Sequence, residues 1–245
     1  MKLQMDGYQL AYEATSGGGP CVIFCPGFNS TMRGNKASDL KAFCLEQGLS
    51  FVRFDYSGHG ESGGDFADAC ITQWLADTVA IIDQITTGDV ILVGSSMGAW
   101  IALLAALKRP MRVTGLLLIA YAADMTKAYT KRLEGLPLEV DDKSRAYYSV
   151  ANQYDDQQPY SIYQKMIDDG ASHFLLDGPI DLDIPIRLIH GLEDNVVEVQ
   201  RSARVAELLT SNQVSLLNVE SGDHRLSRPV DLSRIRSLLL ELLHA

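Results

Sequence analysis

The stretch from Asp89 to Trp100 constrains the chain more than any other. It reads Asp-Val-Ile-Leu-Val-Gly-Ser-Ser-Met-Gly-Ala-Trp. Val90 to Val93 is an unbroken apolar run with β-branched members, the pattern of a strand buried on both faces. Gly94-Ser95-Ser96-Met97-Gly98 then matches G-x-S-x-G. Trp100, Ile101, Leu103, Leu104 and Leu107 follow as an apolar helix that stops at Arg109-Pro110. Strand, tight turn and helix together are the setting of a nucleophile elbow centred on Ser96. The backbone passes close on both sides of such a serine and leaves room only for residues without side chains, hence Gly94 and Gly98. The serine stands at a helix N-terminus, where free N–H groups and the helix dipole favour a developing anion. Ser95 is the rival nucleophile, but the pattern centres on Ser96.

Strand and helix patterns alternate on both sides of this stretch. Lys2–Met5 and Tyr8–Glu13 flank Asp6-Gly7, a hairpin signal. Gly17-Gly18-Gly19-Pro20 is expected to break the chain before a buried strand over Cys21–Cys25. A helix is expected from about Lys36 to Gln47, a strand over Ser50–Asp55 and a long helix over Ile71–Ile85. Past the elbow come a strand over Val113–Ala120, a strand over Ile184–His190 and a helix over Val197–Leu209. A strand over Gln213–Val219 and an amphipathic helix over Val230–Leu243 end the series. The alternation predicts a single α/β domain over residues 1–245: a mostly parallel central sheet with helices on both faces and the opening hairpin at one edge. Residues 121–183 interrupt the alternation and are expected to form a small cap. That insertion holds Tyr121, Tyr129, Tyr147, Tyr148, Tyr154, Tyr160 and Tyr163, whose apolar rings with polar tips suit a partly wet acyl or aryl pocket or the packing of the cap. Met125 and Met166 have the same two uses.

Composition narrows the partners. The chain carries 31 acidic against 21 basic residues, a net charge of −10, which argues against nucleic acid and anionic membranes. No run approaches the ~18 apolar residues of a membrane span. Cys21, Cys25, Cys44 and Cys70 lack metal-site spacing and read as core thiols, and Met1 to Gly7 has no apolar signal-peptide core. These features point to a cytoplasmic setting. No metal or cofactor motif is present.

A serine hydroxyl attacks a carbonyl only if a base takes its proton. Five histidines compete for that role. His244 is next to last and His173 lies in the insertion, while His59, His190 and His224 all follow strands, where functional groups gather at carboxyl ends. Hydrolases with this elbow run Ser, then acid, then His, which selects His224 and leaves His59 and His190 as structural hydrogen-bonded imidazoles. The loop His190-Gly-Leu-Glu-Asp-Asn-Val-Val197 supplies the acid: Asp194, with Glu193 as its runner-up and Asp124 as an outside alternative. Asp223 adjoins His224 and reads as a turn residue. Two oxyanion donors are expected, the backbone N–H groups of Met97 and of Phe28, with Gly27 allowing the close approach.

These residues carry a family resemblance. Over nearly its whole length the chain resembles the α/β-hydrolases, with Phe54-Asp-Tyr-Ser-Gly-His-Gly-Glu-Ser62 like the family's D-x-x-G-x-G-x-S loop and His190-Gly-Leu-Glu-Asp194 like its acid loop. A narrower resemblance is to a small branch of mitochondrial abhydrolase-domain enzymes that act on acyl glucuronides and palmitoylated proteins. It rests on Pro26-Gly-Phe, Met32-Arg-Gly-Asn-Lys-Ala37, Arg53-Phe-Asp-Tyr-Ser-Gly58, Val93-Gly-Ser-Ser-Met-Gly98, Pro185-Ile-Arg-Leu-Ile-His-Gly191 and Gly222-Asp-His-Arg225. The resemblance implies Ser96, Asp194 and His224 as a triad. The chain departs from the branch at Ala99, where Gly is frequent, and at Glu198-Val199, where Pro-Trp is frequent.

The activity expected is a serine hydrolase of carboxylic esters or thioesters, without cofactor or metal, taking a small-molecule ester or an acylated protein and working as a monomer or homodimer. A non-catalytic hydrolase-fold binder, and a peptidase or perhydrolase on the same triad, are the alternatives. Medium or aromatic acyl groups are expected over long chains, because no long apolar stretch in the insertion would cover an extended lipid.

Overall fold

The computed structural model describes residues 1–151 and 159–245. Its centre is an eight-stranded sheet in the order β1-β2-β4-β3-β5-β6-β10-β11. The strands are β1 (Lys2–Gln4), β2 (Gln9–Thr15), β3 (Gly18–Cys25), β4 (Leu49–Phe54), β5 (Val90–Ser95), β6 (Val113–Ile119), β10 (Ile186–Gly191) and β11 (Val214–Val219). From β4 to β11 every neighbour is parallel, while β1 and β2 add an antiparallel edge. The hairpin, the parallel core and the α/β class agree with the sequence.

Alternate residues of the central strands serve opposite faces. Val22 and Phe24 of β3, with Ile91 and Val93 of β5, pack under helices α1 (Asn35–Glu46) and α7 (Pro229–Leu243). Ile23, Cys25 and Leu92 face the other way, against α2 (Ile71–Ile85) and α3 (Met97–Lys108), where Trp74 and Trp100 are fully buried. All four cysteines are free and buried, and burial pushes the Cys25 thiol up to about 12. Helix α6 (Gln200–Leu208) joins β10 to β11.

Several boundaries differ from those expected, most by one or two residues, and three of the differences show a cause. Gly18–Pro20 do not break the chain but begin β3, and the irregularity expected there survives as a register shift against β4 between Gly18 and Val22. Strand β10 begins at Ile186, not Ile184, because Pro185 has no N–H to give the ladder. Helix α6 begins at Gln200, not Val197, because the Val197 carbonyl is taken by His190 Nε2 at 3.0 Å and the Arg201 N–H turns to the Glu198 carbonyl instead.

Between β6 and β10 lie α4 (Met125–Arg132), a three-stranded antiparallel sheet and α5 (Gln164–Gly170). The small sheet joins β7 (Glu139–Val140), β8 (Ala146–Val150) and β9 (Tyr160–Tyr163), in segments whose tyrosines and β-branched residues suit strands. Tyr121 is fully buried in the main core, and Tyr147 and Tyr163 stack with ring centres 5.6 Å apart. Tyr154 lies outside the described residues. No helix among the described residues is long and apolar enough to cross a membrane.

Two features hold the parts that carry the site. At the elbow, a β-carbon on Gly98 would sit 2.1 Å from the Cys25 carbonyl oxygen, and one on Gly94 would sit 2.4 Å from the Gly98 carbonyl oxygen. At the hairpin edge, Glu13 receives Arg53 at 2.7 Å and Lys41 at 2.8 Å, which ties β2 to β4 and α1. Hydrogen bonds from Lys41 and Arg53 hold the Glu13 carboxyl down at about 2 against its ordinary 4.5.

Gly98→Ala is therefore expected to lower the unfolding free energy in urea by about 1–3 kcal/mol, since the clash is with backbone that cannot rotate away. Glu13, whose folded value is depressed, contributes stability that is complete above about 4.5 and drains as pH falls toward about 2. Urea midpoints taken from pH 6 to pH 2.5 should fall less steeply for Glu13→Gln than for the parent chain.

Candidate active site

Ser96 caps the start of α3 at the end of β5 with φ 55° and ψ −119°. A positive φ in a residue with a β-carbon costs on the order of 1–3 kcal/mol and persists only where the surroundings impose it. Here the Ser96 N–H is held by the Ile119 carbonyl at 2.8 Å, and the Ser96 carbonyl accepts the N–H of Ala99 at 3.0 Å. Both serines border the cavity, but Ser95 is almost wholly buried as the last residue of β5, and only the Ser96 hydroxyl meets the His224 ring.

The His224 ring lies between Ser96 and Asp194. Its Nε2 is 3.1 Å from Ser96 Oγ, and its Nδ1 is 2.8 Å from Asp194 Oδ2. The three side chains that the sequence singled out, scattered over 128 positions between Ser96 and His224, form one hydrogen-bonded chain. Burial pushes the Asp194 carboxyl up, but hydrogen bonds from His190 and His224, the charge of His224 and the Val197 N–H together hold it well below the usual carboxylate range. The rival acids are elsewhere. Glu193 is exposed, and Asp124 accepts the N–H groups of Leu175 and Leu176 at 2.9 and 3.1 Å. Asp223 accepts the N–H of Leu226, as a turn residue should.

The loop after β3 lies against the elbow. A β-carbon on Gly27 would be 3.2 Å from the Ser95 carbonyl oxygen and 3.4 Å from Ser96 Cβ, so its backbone approaches the serine closely. Phe28 turns its ring into an aromatic cluster with His59, Phe66, Trp74 and Tyr160. His59 braces the same loop: its Nε2 accepts the Asn29 N–H at 3.3 Å while its Nδ1 lies 3.3 Å from the Ser57 carbonyl. Asp55 Oδ1 accepts the Met32 N–H at 2.7 Å and its Oδ2 accepts the Glu61 N–H at 2.8 Å. The role of the Phe54–Ser62 loop is thus to hold the β3 loop in place. His59 is the structural imidazole that the sequence suggested, and burial favours its neutral form.

A cavity of about 500 Å³ opens over Ser96 and His224. Phe28, Met125, Tyr129, Val150 and Tyr160 give it an apolar side, so two of the six described tyrosines and one of the two methionines reach it. Met166 is buried in the core instead. Lys36, Arg132, Arg201 and Arg225 also line it, against one carboxylate among the described residues, Glu198. The sequence reading did not pick out these cations, because their positions on α1, α4, α6 and the His224 loop converge only in the fold. Lys36 was visible only as a member of the Met32–Ala37 stretch. Its Nζ donates to the Arg225 carbonyl at 2.5 Å, pinning the His224 loop, and burial together with the Arg225 charge pushes its amine down to about 8. Among the described residues no group of three or more His, Cys, Asp or Glu is arranged to hold a metal.

Comparison with known proteins fits this architecture. Residues 20–180 match the Hydrolase_4 family, serine aminopeptidase S33. The palmitoyl-protein thioesterase ABHD10, mitochondrial, of Rattus norvegicus is 38% identical over 225 residues, 91% of this chain and 75% of the rat protein. The solved structure of alpha/beta hydrolase domain-containing protein 10 from mouse superposes with a TM-score of 0.89 at 34% identity, over 100% of this chain and 98% of the mouse one. A hydrolase structure from Agrobacterium vitis S4 gives a TM-score of 0.90 at 31% identity, over 99% and 97%. The rat relative and four further mammalian ones are named mitochondrial, which overturns the cytoplasmic setting expected from the sequence. Buried free cysteines do not distinguish one reducing compartment from another. The chain belongs to the α/β-hydrolase superfamily of serine hydrolases, in the Hydrolase_4 family and on its ABHD10 branch.

Proposed function

We propose that the chain is a single-domain serine hydrolase of carboxylic esters or thioesters, with Ser96, His224 and Asp194 as its triad and residues 121–183 as a cap over the cavity. The observation that carries this is the unbroken line from Asp194 Oδ2 through His224 to Ser96 Oγ, at 2.8 and 3.1 Å. His224 Nε2 takes the serine proton as Oγ attacks the acyl carbon, and Asp194 fixes the ring tautomer and stabilises the imidazolium. The N–H groups of Phe28 and Met97 receive the oxyanion. The imidazolium then protonates the departing alcohol or thiol, and water, activated by the same imidazole, releases the acid from the Ser96 ester.

The apolar side of the cavity supports acyl substrates. The name of the rat relative, palmitoyl-protein thioesterase, favours a second, narrower reading in which the acyl group is palmitoyl and the leaving group a protein thiol. With the cavity lined by Tyr129 and Tyr160, medium or aromatic acyl groups are the first reading. Along p-nitrophenyl esters from butyrate to palmitate, kcat/KM should peak before the long chains. A rise continuing to palmitate, or turnover of a palmitoylated peptide well above that of short thioesters, selects the second reading.

Ser96→Ala should lower kcat by roughly 10⁴-fold or more and abolish labelling by a fluorophosphonate, while Ser95→Ala keeps most activity. Asp194→Asn should approach the same loss, and Glu193→Gln and Asp124→Asn should not. A fully active Ser96→Ala would overturn the triad, and an unlabelled but ligand-binding parent chain would favour the non-catalytic binder.

Asp194 is held ionised as the partner of His224, and activity should be unchanged by EDTA because no step of the triad needs a metal. Loss of activity in chelator would point instead to a metal-bound water.

A further inference from the structure

Asp194 meets a second imidazole. His190, the fifth residue of β10, is fully buried, and its Nε2 lies 3.1 Å from Asp194 Oδ2, the same oxygen that His224 uses. That nitrogen is also 3.0 Å from the Val197 carbonyl oxygen. A carboxylate and a carbonyl only accept, so the proton of a neutral ring sits on Nε2. Nδ1, 2.6 Å from Ser202 Oγ, then accepts the hydroxyl proton. Ser202 is itself fully buried, so the tautomer is fixed from both sides.

The other carboxylate oxygen is also fully engaged, since Oδ1 accepts the N–H groups of Val196 and Val197. Val197 therefore takes part twice, giving its N–H to Asp194 and its carbonyl to His190. Rotation of the Asp194 carboxylate about its Cβ–Cγ bond would break the hydrogen bonds from His224, Val196 and Val197 and the His190 contact at once. The side chain of Asp194 has no exposure to water that could replace them.

We propose that His190 is a positioning residue for the reaction: its Nε2–H, shared onto Asp194 Oδ2, holds the carboxylate plane at the angle from which it orients His224. The inference rests on the Ser96–His224–Asp194 reading. It assigns His190 a task beyond that of a buried, satisfied imidazole. A buried imidazole that only packs would need its hydrogen bonds met, but nothing would require one of them to land on the oxygen that His224 uses.

The test uses amide replacements and a p-nitrophenyl butyrate assay. His190→Gln can place an N–H near the position of Nε2, whereas His190→Asn, one methylene shorter, can satisfy Ser202 but does not reach Asp194. His190→Asn should lose roughly ten- to a hundredfold in kcat with KM within about twofold, and His190→Gln should recover most of that loss. In the Asp194→Asn background the further loss from His190→Asn should be under about threefold, because the group it positions is gone. Equal losses in Asn and Gln variants, a loss confined to KM, or full additivity with Asp194→Asn would overturn the proposal. Should His190→Asn fail to fold, the ¹⁵N shifts of the His190 ring in the unaltered protein decide: an Nε2–H tautomer is expected, and an Nδ1–H tautomer refutes it. Active Ser96→Ala would remove the triad reading and this inference together, while an inactive Ser96→Ala beside a fully active His190→Asn would remove only the inference.

Discussion

The close passage of α3 over the end of β3 is the constraint on which the rest of the site depends. Gly98 lies so near the Cys25 and Pro26 carbonyls that no side chain fits between them. That contact forces the chain to reverse within the space of Ser96, which takes a positive φ that only the surrounding packing sustains. The packing is ample: every residue of α3 from Met97 to Ala106 is buried. A strained residue is thus carried at the start of a helix buried on all sides, and the loops that complete the site are arranged around it.

Those loops are held by buried carboxylates, and their surroundings give them different charge behaviour. Asp77 accepts hydrogen bonds from Tyr8 at 2.5 Å and from both the N–H and the hydroxyl of Ser57. Its burial outweighs these donors and favours the neutral acid. Asp194 is buried too, yet two imidazoles and two backbone N–H groups converge on it and keep it ionised. The difference follows from the donors: an imidazole that can itself become charged stabilises an anion more than a phenol or a hydroxyl does. Asp77 anchors the hairpin and the loop after β4, while Asp194 faces His224.

Much of this was readable along the chain. Ile71–Ile85 was legible to the residue because its apolar spacing and its flanks agree. The elbow was legible because strand, glycines and apolar helix reinforce one another within twelve residues. Misplaced boundaries occurred where a contact distant from the local pattern decides the matter. Val197 looks like the first apolar residue of a helix, but its carbonyl belongs to His190. The strands of the 121–183 segment were not assigned at all, since short tyrosine-rich runs carry no period strong enough to separate strand from loop.

By itself the sequence determined the α/β class and brought forward Ser96, Asp194 and His224 as the candidates, because these rest on local spacing and on chain order. Tertiary structure decided which of five histidines meet Asp194, that His59 braces the loop beside Ser96, and that four cations from four separate elements line one cavity. Hydrogen-bond partners and charge clusters of that kind are set by distances of about 3 Å between groups far apart in the chain, and one-dimensional periodicity carries no information about them.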